Sequence, residues 1–172
     1  MGALRLNQAV AGAAAGLAAA GVQVVHLTGR GKAEAVRQAL PGAAQAGGGG
    51  AGPVYQVREY LERMELALAA ADLAVQRAGA ATVHELACAA LPSVLVPLGI
   101  GNGEQRLNAA GLVRAGGAVL VEDESFGAWA AQNLADLATS PAELERMAAA
   151  AGSVAIRDGA ERLADMIERV AR

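Results

Sequence analysis

Hydrophobic positions along the chain fall into two patterns that alternate from one end to the other. Short runs rich in aliphatic and β-branched residues have strand length, and they occupy residues 22–27, 54–57, 73–77, 93–98 and 118–121. The remaining stretches have helical character, at residues 4–20, 32–39, 62–70, 82–90, 105–115, 126–138, 141–151 and 158–171. Because strands that alternate with helices usually pair in parallel, the pattern predicts an α/β fold with a Rossmann-like, doubly wound parallel sheet.

Two of the predicted strands, residues 22–27 and 93–98, are almost continuously apolar. Such runs are typical of strands that are covered on both faces, so we expect both strands to be buried. Helix ends carry recognisable signals: Gly21 and Gly116 follow predicted helices, and Ser140 precedes Pro141 where another begins.

The chain opens directly on a helical stretch that begins at residue 4. A doubly wound domain normally starts with a strand that leads into its first helix, so we expect this first strand to be missing. The length of 172 residues fits one domain with a single core, and we expect residues 1–172 to form it. The glycine-rich stretch 47–53 is predicted to be a flexible surface loop of that domain.

Composition narrows the possible functions. The net charge of −3 and the aromatic content of 2% argue against a nucleic-acid-binding surface. Hydrophobic residues reach 54%, largely through alanine, but no apolar run is long enough to span a membrane. The N-terminus lacks the order of features found in a signal peptide, so we expect a cytoplasmic protein. A single cysteine, Cys88, excludes an intramolecular disulfide.

The first candidate for chemistry spans residues 77–85, where a predicted strand passes through Gly79 into a helix. Small side chains let the backbone approach a ligand, and free N–H groups at a helix start can bind a phosphate. Glu85 follows one turn later, where its carboxylate could accept two hydrogen bonds from a ribose diol. The same residues fit a plain tight turn with a glutamate that offsets the helix dipole, and spacing alone leaves both interpretations open.

The second candidate spans residues 97–109 and follows the next predicted strand. The two segments should therefore lie at the same carboxyl edge of the sheet, which is where open α/β sheets bind ligands. Three glycines and several side-chain amides suit a neutral polyol such as a sugar. Alternatively, Asn108 bonds the loop backbone and Glu104 is only an acid in the first helical turn.

These segments together resemble the donor-binding domain of the MurG-type UDP-N-acetylglucosamine transferases, and most of all the actinobacterial members. The resemblance rests on residues 71–86, on Leu91-Pro92 and on Gly103-Glu104-Gln105-Arg106-Leu107-Asn108-Ala109. It extends from Gly2-Ala3-Leu4-Arg5-Leu6-Asn7, which is similar to the tail of the family's glycine-serine loop, nearly to the C-terminus. The family transfers N-acetylglucosamine (GlcNAc) from UDP-GlcNAc to lipid I, which makes lipid II for peptidoglycan synthesis.

The resemblance implies a GT-B fold, of which this chain supplies the C-terminal domain, and a set of substrate-binding residues without a catalytic one. The set comprises Tyr60, Leu61, Arg77, Gly79, Ala80, Ala81, Thr82, Glu85, Glu104, Gln105 and Asn108. By resemblance, Glu85 binds the ribose hydroxyls and residues 80–82 contact the diphosphate. Gln105, with Glu104 beside it, contacts GlcNAc, and residues 60 and 61 pack around uracil. Arg77 and helix N-termini are candidate sources of the positive field at the leaving diphosphate.

Family members work without a metal ion at the donor site, so the resemblance implies no metal and no cofactor besides the substrate UDP-GlcNAc. The N-terminal domain that binds the acceptor lies outside this sequence. We therefore expect the chain to be inactive alone, and to need that domain, fused or separate, to reach lipid I at the inner face of the cell membrane. Three alternatives stay open: a non-catalytic UDP-sugar-binding module, the donor half of a transferase with another acceptor, and a truncated gene product without function.

Neither histidine is a convincing general base. His26 lies in a predicted buried strand, and His84 has no carboxylate and nucleophile arranged around it. Cys88 lies on a helix of small apolar residues and is expected to be buried and inert.

Overall fold

The computed structural model describes residues 4–40, 54–99 and 102–171. The strands in this part of the chain are β1 Val24–Leu27, β2 Tyr55–Arg58, β3 Ala74–Gln76, β4 Ser93–Leu95 and β5 Ala118–Leu120. The helices are α1 Leu4–Gly12, α2 Ala14–Ala19, α3 Ala33–Ala39, α4 Met64–Ala70, α5 Ala80–Cys88, α6 Glu104–Ala115, α7 Phe126–Trp129, α8 Ala135–Ala138, α9 Pro141–Ser153 and α10 Gly159–Val170. A π-helical segment, Ala130–Leu134, joins α7 to α8. The predicted alternation of strands and helices is confirmed, and the predicted loop at residues 47–53 lies outside the described residues.

All strand pairs are parallel, as predicted. β1 pairs with β2, and β4 lies between β3 and β5. Among the described strands, β1 and β3 each have a single neighbour. Within the three-stranded sheet the carboxyl ends of β3 and β4 are adjacent, because Gln76 pairs with Leu95. The loops that follow these two strands, which carry both candidate segments, therefore start side by side.

The central strand β4 is completely buried, as its apolar pattern predicted. On one face, Val94 packs in a cluster with Leu6 of α1 and Phe126 of α7. On the other face, Leu95 packs with Leu86 of α5 and with residues of α6 and α9. Helices cover both faces of this sheet, so the chain has the doubly wound architecture that the sequence predicts.

Strand β1 departs from the expectation that residues 22–27 are buried on both faces. His26 is buried, but the neighbouring Val25 is 56% exposed. Val24 belongs to the apolar clusters of the described residues, whereas Val25 does not. The prediction is wrong for this strand, because described helices cover only the face that carries Val24 and His26. An apolar run indicates a preference for burial, but a neighbouring element is needed to satisfy it.

The start of β5 makes a very close contact with α9. A methyl group built on Gly117 would lie 2.7 Å from the backbone N and Cα of Ala151. Ala151 is completely buried, and α9 also packs against α5 and α6. Only glycine fits at residue 117, so this contact determines how close α9 lies to the sheet and to the two helices behind the candidate segments.

Helix α10 is amphipathic, and its apolar side is open. Leu163, Met166, Ile167 and Val170 recur three or four residues apart, and their exposed fractions run from 57% to 89%. No residue of α10 is buried against the described part of the chain. Across those same residues, we find no helix with the length and apolar character needed to cross a membrane.

Candidate functional site

The turn between β3 and α5 presents backbone donors at the edge of the sheet. Gly79 is extended, with φ −64° and ψ 151°, and α5 begins at the next residue without a side-chain cap. Within the described residues, the N–H groups of Ala80, Ala81 and Thr82 have no hydrogen-bond acceptor. Free N–H groups and the positive end of the helix dipole together attract anions such as phosphate.

Glu85 lies one turn further along α5. Its side chain is exposed, and we find no hydrogen bond or ion pair from it to any described residue. Thr82, which is half-buried, lies between Glu85 and the start of the helix, with its Oγ1 3.5 Å from a methyl group built on Gly79. An exposed carboxylate without a protein partner is able to accept hydrogen bonds from paired ligand hydroxyls.

The loop between β4 and α6 holds Gln105 in one orientation. Gly103 adopts the left-handed conformation, with φ +73°, directly before α6 begins at Glu104. The N–H of Leu98 donates to Gln105 Oε1 at 2.9 Å. Because a backbone N–H is a donor, the amide oxygen must face it, and the NH2 group of Gln105 stays available to donate elsewhere. Glu104 is exposed, and residues 100 and 101 lie outside the described part of the chain.

Asn108 joins the two candidate segments. Its Nδ2 donates to the carbonyl oxygen of Ala78 at 3.1 Å, which connects α6 to the turn before α5. The structure therefore brings residues 79–85 and 104–108 together, as the shared sheet edge predicted. This contact is the backbone bond that the structural interpretation of Asn108 requires.

Arg77 also spans the two loops. Its Nη1 donates to the carbonyl oxygens of Val96 and Pro97, each at 3.2 Å. Its Nη2 lies 2.7 Å from Asp123 Oδ1, and the two side chains are only 16% and 10% exposed. Arg77 therefore places a positive charge at this edge, with a carboxylate beside it and two carbonyls that accept from it.

The acidic segment, Glu122-Asp123-Glu124, follows β5 and was not among the candidate residues predicted from the sequence. Its carboxylates contact three arginines from different elements: Glu122 lies 2.6 Å from Arg106, Asp123 lies 2.7 Å from Arg77 and 3.5 Å from Arg5, and Glu124 lies 3.9 Å from Arg5. Three successive acids at the carboxyl end of a strand were a visible signal. Their arginine partners were not, because the contacts depend on the order of the strands in the sheet.

Tyr60 and Leu61 lie after β2, in the other sheet. The ring of Tyr60 is 62% exposed, and the guanidinium of Arg30 lies 5.3 Å from its centroid. The N–H of Gly31 donates to Glu59 Oε1 at 3.0 Å. These contacts join the loops after β1 and β2. Over the described ranges, no hydrogen bond or ion pair links Tyr60 or Leu61 to the segments after β3 and β4.

His26 is a core residue, as predicted. Its Nδ1 lies 2.7 Å from Tyr55 Oη, and its Nε2 lies 3.2 Å from Asn7 Oδ1. Asn7 Nδ2 donates to the carbonyl of Thr28, so its oxygen faces His26. Nε2 therefore carries the proton and Nδ1 accepts from the tyrosine hydroxyl. Burial lowers the pKa of His26, which favours this neutral form.

Cys88 is only half-buried, so the expectation of full burial is wrong. Its Sγ lies 3.6 Å from Nε2 of the exposed His84 and 3.7 Å from the carbonyl oxygen of Ile156. In the part of the chain that the structure describes, no three His, Cys, Asp or Glu side chains are grouped so that they could hold a metal ion.

Comparison with known proteins identifies a family and relatives that the chain resembles. The sequence profile of the glycosyltransferase family 28 C-terminal domain matches residues 1–163. Two curated relatives are named UDP-N-acetylglucosamine–N-acetylmuramyl-(pentapeptide) pyrophosphoryl-undecaprenol N-acetylglucosamine transferase. The one from Paenarthrobacter aurescens is 46% identical over 96% of this chain, and the one from Mycobacterium tuberculosis is 48% identical over 95%. The chain spans 43% and 38% of their lengths.

Solved structures agree with these relatives. Acinetobacter baumannii MurG matches with a TM-score of 0.85 and 29% identity, over 98% of this chain and 47% of that one. The glycotransferase of kitacinnamycin matches with a TM-score of 0.64 and 23% identity, over 96% of this chain and 39% of that one, and shows the fold alone. The resemblance drawn from the two sequence segments is thereby confirmed, including its actinobacterial character. The chain belongs to the glycosyltransferase family 28 C-terminal domain family.

Proposed function

We propose that this chain is a donor-binding domain that holds UDP-GlcNAc for transfer of GlcNAc to lipid I. The observation that carries the proposal is the start of α5, where three N–H groups are free within the described residues and the exposed Glu85 follows one turn later. Gln105 is held beside this turn by the Leu98 N–H. Both relatives described above are GlcNAc transferases by name, which supports this choice of sugar and acceptor.

The diphosphate would bind at the start of α5. The N–H groups of Ala80, Ala81 and Thr82, with the Thr82 hydroxyl, would donate hydrogen bonds to its oxygens. As the bond to the sugar breaks, negative charge grows on the diphosphate. Donors that are already in place then stabilise the transition state more than the bound substrate, which is what raises the rate. Arg77 would add positive potential nearby, and Asp123 would offset part of it.

The ribose and the sugar would bind to two side chains, Glu85 of α5 and Gln105 of α6. Glu85 would accept hydrogen bonds from the two ribose hydroxyls, because its carboxylate is exposed and acceptor-only when ionised. Gln105 would donate from its NH2 group to a GlcNAc hydroxyl, and Glu104 would accept from another. Asn108 would act from the same site by holding the turn through Ala78.

Uracil would pack against Tyr60 and Leu61. The largely exposed ring of Tyr60 offers a flat apolar face with a polar hydroxyl, which suits a nucleobase. Arg30, which lies over this ring, would hold it in one orientation through a cation–π contact.

Transfer itself would require an acceptor-binding domain, in the same polypeptide or as a separate chain. We assign activation of the acceptor hydroxyl to that domain and no catalytic residue to this one. Lipid I would be reached through the acceptor domain at the cytoplasmic face of the membrane. Donor binding would need no metal ion or cofactor besides UDP-GlcNAc, and nucleic acid would not be a partner.

Calorimetric titration with UDP-GlcNAc tests the donor assignment, with UDP and ADP-glucose as controls. We expect binding of UDP-GlcNAc and UDP but not of ADP-glucose, with the same Kd in EDTA. Addition of an acceptor domain from a relative should then produce GlcNAc transfer to lipid I. A folded sample that does not discriminate among the three nucleotides would contradict the proposal. Selective binding without transfer in the presence of the acceptor domain would favour a binding module.

A further inference from the structure

We propose that Asp123 is a positioning residue of the donor site and acts through Arg77. The inference rests on the proposed function, because it concerns the same two loops. Asp123 follows β5 and was not among the residues that the sequence or the resemblance pointed to. Its carboxylate lies 2.7 Å from Arg77, and both side chains are largely buried.

One guanidinium joins the carboxyl ends of three strands. Arg77 follows β3, donates to the carbonyls of Val96 and Pro97 after β4, and contacts Asp123 after β5. Buried hydrogen bonds and charge contacts of this kind are screened by water far less than exposed ion pairs. The other ion pairs of the acidic segment are more exposed, so we expect the Arg77–Asp123 pair to contribute most to the stability of these loops.

The guanidinium lies where both candidate loops begin. Gly79 follows Arg77 by two residues, and α5 begins at the next residue. Leu98, whose N–H orients Gln105, follows Pro97. Without the carboxylate, Arg77 would keep a mostly buried charge but lose the acid that lies 2.7 Å from it. Removal of one partner of a buried ion pair is strongly unfavourable, so the guanidinium would move and its bonds to the carbonyls of Val96 and Pro97 would weaken. Asp123 therefore fixes the position of the free N–H groups of α5 relative to the Gln105 amide.

The charge of Asp123 has the opposite effect on the ligand, and this makes the proposal testable by sign. A carboxylate near a diphosphate repels it, so removal of the charge alone would strengthen binding of UDP. Loss of the positioning role would weaken binding. Asp123→Asn separates the two, because it removes the charge and keeps the size of the side chain.

The matched control is Glu124→Gln. It removes one negative charge from the same acidic segment, but Glu124 is 71% exposed and its contact with Arg5 is 3.9 Å long. We expect Asp123→Asn to weaken binding of both UDP and UDP-GlcNAc by about tenfold or more, and Glu124→Gln to change either by less than about twofold. Unchanged or tighter binding of UDP by folded Asp123→Asn would overturn the proposal.

Hydrogen exchange of backbone amides provides a readout that does not depend on the ligand. The amide of Leu98 is bonded to Gln105 Oε1, the amide of Val83 to the Gly79 carbonyl, and the amide of Thr28, in the other sheet, to the carbonyl of residue 58. In Asp123→Asn, Leu98 and Val83 should exchange faster while Thr28 keeps its protection. Equal acceleration at all three amides would indicate general destabilisation, and wild-type protection at Leu98 and Val83 would also refute the positioning role. If the wild-type chain binds no UDP-GlcNAc, the donor proposal fails, and these amides alone decide whether Asp123 positions the loops.

Discussion

Replacement of Gly117 by alanine should destabilise the chain through a clash that has no flexible side chain to absorb it. The added methyl group would lie 2.7 Å from the N and Cα of Ala151 and 2.8 Å from its Cβ. Carbon atoms pack at roughly 3.5–4 Å, so α9 would have to move as a unit away from β5. Overpacking of this kind costs about 1–3 kcal/mol. The lower entropy of the unfolded alanine chain offsets about 0.4–1 kcal/mol of that, which leaves a net loss of about 1.3 kcal/mol at the middle of the two ranges.

Gly111→Ala is the matched control, because it makes the same chemical change in a place with room. Gly111 lies in α6 on an exposed position, and a methyl group built there meets no atom within 4 Å. Alanine is the better helix former, so the free energy of unfolding should rise by about 0.5–1 kcal/mol.

Urea unfolding of the two variants and the wild type at one temperature measures both effects as shifts of the midpoint at constant m. The two substitutions should shift the midpoint in opposite directions. If Gly117→Ala were as stable as the wild type, or if both variants moved the same way, the close approach of α9 to β5 would be refuted.

Three further predictions concern the core, the turn between the loops and α10. The free energy of unfolding should fall as pH drops below about 6.5, because burial lowers the pKa of His26 and the unfolded chain therefore binds that proton more readily. Above about pH 6.5 the stabilisation from neutral His26 is complete, and urea unfolding should show a free energy that depends less on pH in His26→Gln than in the wild type. Asn108→Ala should lose about 1 kcal/mol of stability with the hydrogen bond to Ala78, and calorimetry should show equal weakening for UDP and UDP-GlcNAc; a larger effect on UDP-GlcNAc would indicate direct contact with the sugar. The exposed apolar side of α10 should make the chain associate as its concentration rises, and Ile167→Glu should reduce this association in sedimentation experiments because that side chain is 60% exposed there. A wild-type chain that does not associate, or unchanged association of the variant, would exclude that side as the contact.

Most of the fold follows from local sequence patterns. Apolar runs of strand length and the helical stretches between them depend on neighbouring residues only, so the strands and helices were predicted in their order. The shared edge of the two candidate segments followed from the rule that parallel strands end together, and the bond from Asn108 to Ala78 agrees with it. The roles of the individual donor-binding residues stay predictions, which measurements of UDP-GlcNAc binding to the variants test.

What the sequence did not predict depends on contacts between distant parts of the chain. Val25 looks like a buried residue, yet whether a helix covers it is decided by elements far away in the sequence. The Arg77–Asp123 pair requires β3 and β5 to flank β4, and strand order cannot be read from apolar runs. The π-helical segment Ala130–Leu134 has no local signal in its alanine-rich sequence.

The most direct test of the account compares how two substitutions affect two ligands. Glu85→Ala should weaken UDP and UDP-GlcNAc alike, by about 1–3 kcal/mol of binding free energy, because both ligands carry the ribose. Gln105→Ala should weaken UDP-GlcNAc and leave UDP nearly unchanged, because only the sugar nucleotide offers the GlcNAc hydroxyls. Equal effects of Gln105→Ala on both ligands, or no effect of Glu85→Ala on either, would contradict the donor site at the carboxyl ends of β3 and β4.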